Sequence, residues 1–515
     1  MTTMENAGRT RRRKIARETA GGGKRTVNYC NLTNPFEPAN VFSDDRASAI
    51  HQSALQVLEE LGIKVLLPEA RQLFGQAGAI VDDETEMVRI GSDIIEQALR
   101  SAPRSFQMRA GDAKRDVLLE QGQITFLPGA GTPHATDLER GRRPGTEQDF
   151  RELIKLNHHF DALHMLAPLT EAQDVAMNLR HYAMTEPQLL CSDKVPFIYS
   201  RGAPQVADCF EMIRLARDLP DAEFKSEPRC YTIINTNSPR QLDIPMARGL
   251  IDFARAGQLS IITPFCLMGA MAPITVAGAL TLNHAEALAA IALAQIANPG
   301  APVCYGAFAS SVDMKSGAPA FGTPEQVKAS LGAGQLARLT GLPWRNAAGC
   351  AANINDAQAA HETQMSAWGA MLAGCTILVH GAGWIEGGLT ISYEKLITDM
   401  EMLQIFAELC SKTGADESDI ALDTLREVQP GGHFFAAGHT MQRYQSAFYE
   451  PLVADWSNFG TWSERGSLDA NTRSTAVWKQ IVNEFQGPEV DPDRAHELRA
   501  FIQKRTEEGG ASPES

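Results

Sequence analysis

The nine cysteines of this 515-residue chain are widely scattered, the closest two being Cys191 and Cys209. That spacing leaves no CxxC ligand pair and no disulfide framework, and it points to a reducing, cytoplasmic setting. Positive charge is also short, with 47 lysines and arginines against 62 acidic residues and a net charge of -15. Phosphate contacts need a basic surface, so nucleic acid is excluded as the main partner. The longest uncharged stretch, residues 256–284, could span a bilayer by length, but Pro264, Pro273, Gly257, Gly269 and Gly278 interrupt it. It reads as buried strand, loop and helix start, and no membrane span is expected. No HExxH, no GxxxxGK[ST] phosphate loop and no GxSxG elbow occurs, and no GxGxxG follows the first strand-like run. His158 with His159, and His433 with His439, are the best metal candidates; a helix-surface pair and a loop are the preferred readings, and no metal is expected.

The two ends differ from the middle. Residues 1–40 carry Arg9, Arg11, Arg12, Arg13, Lys14 and Arg17, followed by a Gly21 to Gly23 run where a signal peptide would be apolar. This is expected to be a disordered basic tail, and residues 506–515 read as a second one. Residues 41–122 open on Ser43, Asp44 and Asp45, which can cap a helix carrying Ile50, Leu55, Leu58 and Leu61. Two further helices are expected near Glu69 and Ser92, making a helical accessory region.

From Ile124 the pattern alternates. Short apolar runs begin near Ile124, Ala162, Gln188, Cys230, Leu259, Pro302, Pro343 and Thr376, and each leads into a longer amphipathic stretch. Eight such units imply parallel strands with right-handed crossovers, so residues 123–411 are expected to form an α/β (β/α)8 TIM barrel. Residues 412–505 become a C-terminal extension packed on it.

A barrel places its chemistry at the C-terminal ends of the strands. The residues there include Phe265, Tyr305, Arg345, Asn346, His380, Trp384 and Glu386. In the run HGAGWIEGG from His380, Trp384 offers a π face and Glu386 a negative charge, a combination suited to a quaternary ammonium group. The plainer reading is a tight turn in which Glu386 pairs with an arginine. Tyr305 and Phe265 are either ligand faces or barrel-wall residues. Arg345, at the end of a buried strand, needs a carboxylate, supplied by the protein or by a substrate.

Four segments carry a resemblance: GTPEQVKASLGAGQLARLTGLPWR from Gly322, DAQAAHETQMSAWGAMLAG from Asp356, HGAGWIEGGLTISYEKLITDMEML from His380, and GGHFFAAGHTMQRYQSAFYEP from Gly431. With IHQSALQVLEELGI and the APITVAGAL stretch, the chain resembles the trimethylamine corrinoid methyltransferase superfamily over roughly residues 40–485. The resemblance implies a barrel that moves a methyl group from a small methylated amine to the cobalt of a corrinoid (cobalamin) carried by a partner corrinoid-binding protein. It implies no tightly bound cofactor, and a homo-oligomer is possible. Founding members use pyrrolysine, which this chain lacks; that position is expected near Gly349 to Ala351. Members without it are similar to glycine betaine methyltransferases, so a quaternary amine is expected as donor. A barrel lyase or hydrolase using Glu386 and His380, and a betaine-binding protein without catalysis, are the other readings.

Overall fold

The computed structural model describes residues 28–514. Six of the eight apolar runs form strands of one sheet: Gln123–Phe126, Tyr231–Ile234, Leu259–Ile262, Val303–Gly306, Trp344–Ala347 and Ile377–Val379. All five pairings among them are parallel, and Ile377–Val379 returns to lie beside Gln123–Phe126. Parallel pairing follows from the helix that separates each strand from the next. The two remaining units make single bridges, Met165 with Val195 and Phe197 with Tyr231, both parallel. The His164 amide donates to Phe126 O at 3.0 Å, and the Leu166 amide to Val195 O at 3.0 Å.

Side chains alternate across this sheet. Leu259, Ile261, Cys304, Ile377 and Val379 share one apolar cluster with Met165 and Val195 from the bridged units. Their neighbours Ile262, Val303, Tyr305, Trp344 and Leu378 belong to a second cluster shared with the helices. A parallel sheet covered on both faces needs both sets apolar, which is why its strands read as continuous hydrophobic runs.

Helix starts are chemically specified. Thr146 forms a reciprocal capping box with Asp149, while Thr275, Thr323, Asp356 and Ser392 each cap the helix that follows with a side-chain oxygen. The Val276–Ala297 helix is apolar on all sides and long enough to cross a membrane, yet 72% of its apolar window is buried inside the molecule. It is a central helix packed behind the sheet.

Four expectations need correction. The third strand does not begin at Gln188: the Arg180–Leu190 helix runs through that position, and the pairing segment is 195–197. A short apolar run has the same pattern in a buried helix as in a buried strand. The region 41–122 is mixed rather than helical. Its helices Asp44–Gln56, Pro68–Gln76 and Ser92–Ser101 share it with a sheet of Ile63–Val65, Ile80–Asp82 and Met87–Arg89, and with a Ser105–Met108 and Val117–Glu120 hairpin. Of the expected basic tail, residues 1–27 lie outside the described residues, but 28–40 are built into the body: Leu32–Thr33 pairs antiparallel with Gln123–Phe126. The polar end, 506–514, is also docked. The Ala511 amide donates to Asn178 O at 2.9 Å, and Gln205 Nε2 donates to Ala511 O at 2.8 Å. Composition reports side-chain polarity and is blind to docking through the backbone.

Candidate active site

The loops that leave the C-terminal ends of the strands enclose a cavity of about 620 Å³. Phe197, Tyr199, Phe265, Phe308 and Trp384 contribute aromatic walls, and Arg345, His380 and Arg201 contribute polar ones. No aspartate or glutamate lines it.

Arg345 is the unusual group. It is 2% exposed, and no carboxylate among the described residues lies within ion-pair distance of it. Its Nη2 is 3.2 Å from His380 Nε2, and its Nε and Nη1 have no hydrogen-bond partner. Its guanidinium carbon also lies 5.1 Å from the centre of the Phe308 ring. Burial pushes the guanidinium down to about 10, which still leaves it charged at neutral pH. Because arginine only donates, His380 Nε2 accepts, which places the imidazole proton on Nδ1. That Nδ1, like Trp384 Nε1, is buried without a partner. Burial, reinforced by the Arg345 charge, holds the imidazole far below its usual range, so it is neutral. Unpaired donors of this kind are costly unless an acceptor meets them, and a ligand carboxylate has the matching geometry.

The aromatic wall is rigidly built. Trp384 stacks on His380 with ring centres 4.5 Å apart, and Phe321 supports both Trp384 at 5.3 Å and Phe308 at 5.6 Å. Gly388 adopts φ +101°, and any Cβ there would lie 2.4 Å from the Trp384 ring. His380 itself has φ 61°. A left-handed histidine costs on the order of 1 to 3 kcal/mol and persists only where its surroundings over-determine it. One support is Asp399, which accepts from the Gly383 amide at 2.9 Å and is ion-paired with buried Lys395. On the opposite rim, the buried Glu286 carboxylate accepts from Thr236 and Ser238 hydroxyls, both at 2.6 Å, and from the Arg240 amide at 2.7 Å. It fixes the loop that supplies Thr236, Asn237 and Ser238 to the cavity.

Of the seven residues expected at the site, four meet here: Phe265, Arg345, His380 and Trp384. Tyr305 does not. It faces the helices, and its ring packs against His284, whose Nδ1 is 3.0 Å from the hydroxyl. Asn346 pairs with Leu378 in the ladder and, by alternation with Arg345, points away from the cavity. Glu386 is held by Arg142 Nε at 2.9 and 3.0 Å, the arginine-pairing alternative, and does not line the cavity. The glycine–alanine segment 349–351 also lies outside the lining; the Ala351 amide instead donates to Glu362 at 2.7 Å. Phe197 and Tyr199 were not anticipated. The expected third strand begins at Gln188, whereas the signal for the observed one is the VPFIY run that follows Lys194.

A cavity at the strand ends of a parallel α/β sheet, with aromatic walls and an unpaired buried arginine, is where such folds place a small-molecule site. The chain belongs to the trimethylamine methyltransferase (MTTB) family, whose model matches residues 6–510. It is 33% identical over 473 residues to the glycine betaine methyltransferase of Desulfitobacterium hafniense (strain Y51), covering 92% of this chain and 98% of that one. Against the trimethylamine methyltransferase MttB of D. hafniense (strain DSM 10664 / DCB-2) it is 28% identical over 474 residues, covering 92% and 95%. The crystal structure of the Methanosarcina barkeri monomethylamine methyltransferase aligns at 10% identity over 93% of this chain and 96% of that chain, with a TM-score of 0.48. The protein is an enzyme that transfers methyl groups.

Proposed function

We propose that this enzyme takes a methyl group from glycine betaine, or a betaine of similar size, and delivers it to the Co(I) corrinoid of a separate partner protein in the cytoplasm. This reading takes the fold as a closed (β/α)8 barrel, supported by the parallel bridges of Met165 with Val195 and Phe197 with Tyr231 beside the six-stranded parallel run. The carrying observation is Arg345, a buried cation without a protein carboxylate, at one side of a cavity whose other walls are aromatic. A betaine has a charge for each. Its carboxylate takes an unpaired donor of Arg345, Nε or Nη1, together with the second Nη2 hydrogen on the same edge, and its trimethylammonium head lies against Trp384, Phe308, Phe265 and Tyr199. A desolvated cation–π contact contributes about 2 kcal/mol and a hydrogen bond to a charged group about 1.5 to 3 kcal/mol.

The chain's own residues then act by position. A quaternary nitrogen leaves as a neutral amine when its methyl is taken, so no general base is required, and the neutral His380 fits a holding role. Arg345 sets the direction in which the methyl groups point. The aromatic wall excludes water and keeps the dielectric low, which favours a displacement that disperses charge. The Gly131, Gly387 and Gly388 positions leave the rim narrow in side-chain bulk, as admission of a flat macrocycle requires. The corrinoid supplies the nucleophile.

The test mixes the purified enzyme with a reduced corrinoid protein and offers glycine betaine, choline or trimethylamine, following the corrinoid absorbance. Glycine betaine is expected to react at least tenfold faster than either competitor. Equal or faster reaction with choline or trimethylamine overturns the carboxylate assignment, and no reaction with any donor overturns the transfer itself.

A further inference from the structure

One wall of the cavity is tied to the sheet by much less than the others. Phe265 and Arg345 stand on laddered strands, paired with Phe308 and Ile377. Tyr199, Ser200 and Arg201 line the cavity in succession, on chain that follows only the single bridge of Phe197 with Tyr231. Among the described residues, these three make one main-chain to main-chain hydrogen bond: Arg201 O accepts from the Glu514 amide at 3.0 Å. The Tyr199 ring follows that tie. Arg201 Nη1 donates to the buried Glu171 carboxylate at 3.0 Å, and the guanidinium carbon lies 4.0 Å from the centre of the Tyr199 ring. Where the Arg201 backbone is held therefore decides how the ring faces the cavity.

The path that brings Glu514 there is specified residue by residue. The Pro492–Glu507 helix lies along Ala203–Arg217, with Leu498 fully buried between them and Arg505 Nε 3.0 Å from Asp208. Gly509 and Gly510, at φ 97° and 70°, then turn the chain back, and Asn178 Nδ2 donates to Gly509 O at 2.7 Å. Two close crossings require glycine. A Cβ on Gly510 would lie 2.3 Å from Asn178 O, and one on Gly202 would lie 2.8 Å from the Glu514 nitrogen. Pro513 restricts the backbone just before the Glu514 anchor. Of residues 509–514 only Ala511 is buried. Ordering a polar stretch costs conformational entropy that one buried methyl offsets poorly, so hydrogen bonds in a fixed register hold it.

We propose that residues 509–514 are a positioning strap for donor binding, holding the main chain of 199–201 so that the Tyr199 ring presents its face to the cavity. None of the strap residues lines the cavity, so they act through the wall and not on the donor. Glu514 does this with its amide. Its carboxylate reaches only Arg248 Nε, at 3.9 Å. The role in binding rests on Tyr199 being part of the donor wall, as proposed above; the mechanical coupling of strap to wall does not.

Two variants of the full chain separate the amide from the side chain. Glu514→Pro removes the donor to Arg201 O, and Glu514→Ala keeps it. Hydrogen exchange at residues 198–203 is expected to be about tenfold faster in Glu514→Pro and to match wild type in Glu514→Ala. KM for glycine betaine is expected to rise about three- to tenfold in Glu514→Pro at an unchanged kcat, and to stay at the wild-type value in Glu514→Ala. In a Tyr199→Ala background the proline substitution is expected to add nothing to KM, because the ring that the strap orients is gone. Unchanged exchange in Glu514→Pro overturns the strap whatever the donor. Faster exchange with an unchanged KM, or a rise in KM that persists in the Tyr199→Ala background, overturns its role in binding. Should the wild type react with no donor offered, the proposed function fails while the exchange comparison still decides the strap. If Glu514→Pro does not fold, Ala511→Arg undocks the strap at its buried residue and is judged by the same outcomes.

Discussion

The His380 imidazole lies face to face with the Trp384 indole, ring centres 4.5 Å apart and planes 19° from parallel, while its Nε2 accepts from Arg345 Nη2 at 3.2 Å. One neutral ring thus couples the aromatic wall to the cationic floor. Its φ of 61° shows that the chain bends to place it there.

Loss of the indole therefore removes both a π face and the surface on which His380 rests. Trp384→Ala is expected to weaken glycine betaine binding by about 1 to 2 kcal/mol, the scale of a desolvated cation–π contact. Trp384→Phe should retain most of it. Calorimetric titration of both variants checks this, and an unchanged affinity in Trp384→Ala would remove the residue from the site.

Glu386 and Tyr305 give the opposite expectation. Glu386 is engaged by the half-exposed Arg142, an ion pair of a kind that contributes about 0 to 1 kcal/mol. Tyr305 shares its hydroxyl with His284 behind the sheet. Glu386→Gln and Tyr305→Phe should leave KM for the donor unchanged within twofold, with a stability loss of about 1 kcal/mol or less for Glu386→Gln and about 1 to 3 kcal/mol for Tyr305→Phe, which leaves buried His284 Nδ1 without its partner. A tenfold rise in KM for either places that side chain in the cavity after all.

The strand order was legible because it rests on a local rule, apolar runs for a sheet buried on both faces, whereas Ser43 stands at the N-cap of Asp44–Gln56 without making a side-chain cap bond. The third unit was misplaced because Gln188, Leu189 and Leu190 are buried in a helix, where the same run has the same pattern as a strand. That single shift hid Phe197 and Tyr199. Tyr305 and Asn346 were misassigned for a different reason. Both stand beside cavity residues in sequence, and only strand register decides which face each one takes. The contacts of Arg345 come from positions distant in the chain, so its lack of a carboxylate became visible only in three dimensions.

Acid stability has an assignable contributor in His164. It is fully buried, its Nδ1 accepts from the Phe126 amide at 2.9 Å, and its Nε2 lies 2.7 Å from Tyr29 O. Burial lowers it from 6.5 to about 4. Above pH 6.5 neither the folded nor the unfolded state carries the proton, so stability does not change. Between 6.5 and about 4 the unfolded state binds it first, and stability falls as pH falls, by about 1.4 kcal/mol per unit at most. His164→Asn should show a shallower loss than wild type when denaturant unfolding is compared at pH 7.5, 6 and 5. Equal slopes would show that the imidazole is not protonated on unfolding in this range.

The sharpest expectation concerns the floor of the cavity. Arg345 has one donor on His380 and its Nε and Nη1 unpaired, in a setting that supplies no acidic side chain. A two-donor contact to a carboxylate uses one edge of the planar guanidinium, the second Nη2 hydrogen with Nε or Nη1, whereas lysine keeps the charge on a flexible stem and loses the fork. Arg345→Lys should therefore lower kcat/KM for glycine betaine more than for choline, since choline carries a hydroxyl where the betaine has its anion. The expected narrowing of the preference is about tenfold to a hundredfold, the equivalent of about 1.5 to 3 kcal/mol. Arg345→Ala alone is less informative, because it also strips the Phe308 ring of a cation that packs 5.1 Å from its centre. Methyl transfer from the two donors, measured in the wild type and the lysine variant at one corrinoid concentration, decides the point. An unchanged ratio assigns Arg345 to holding His380 in place and takes the carboxylate away from it.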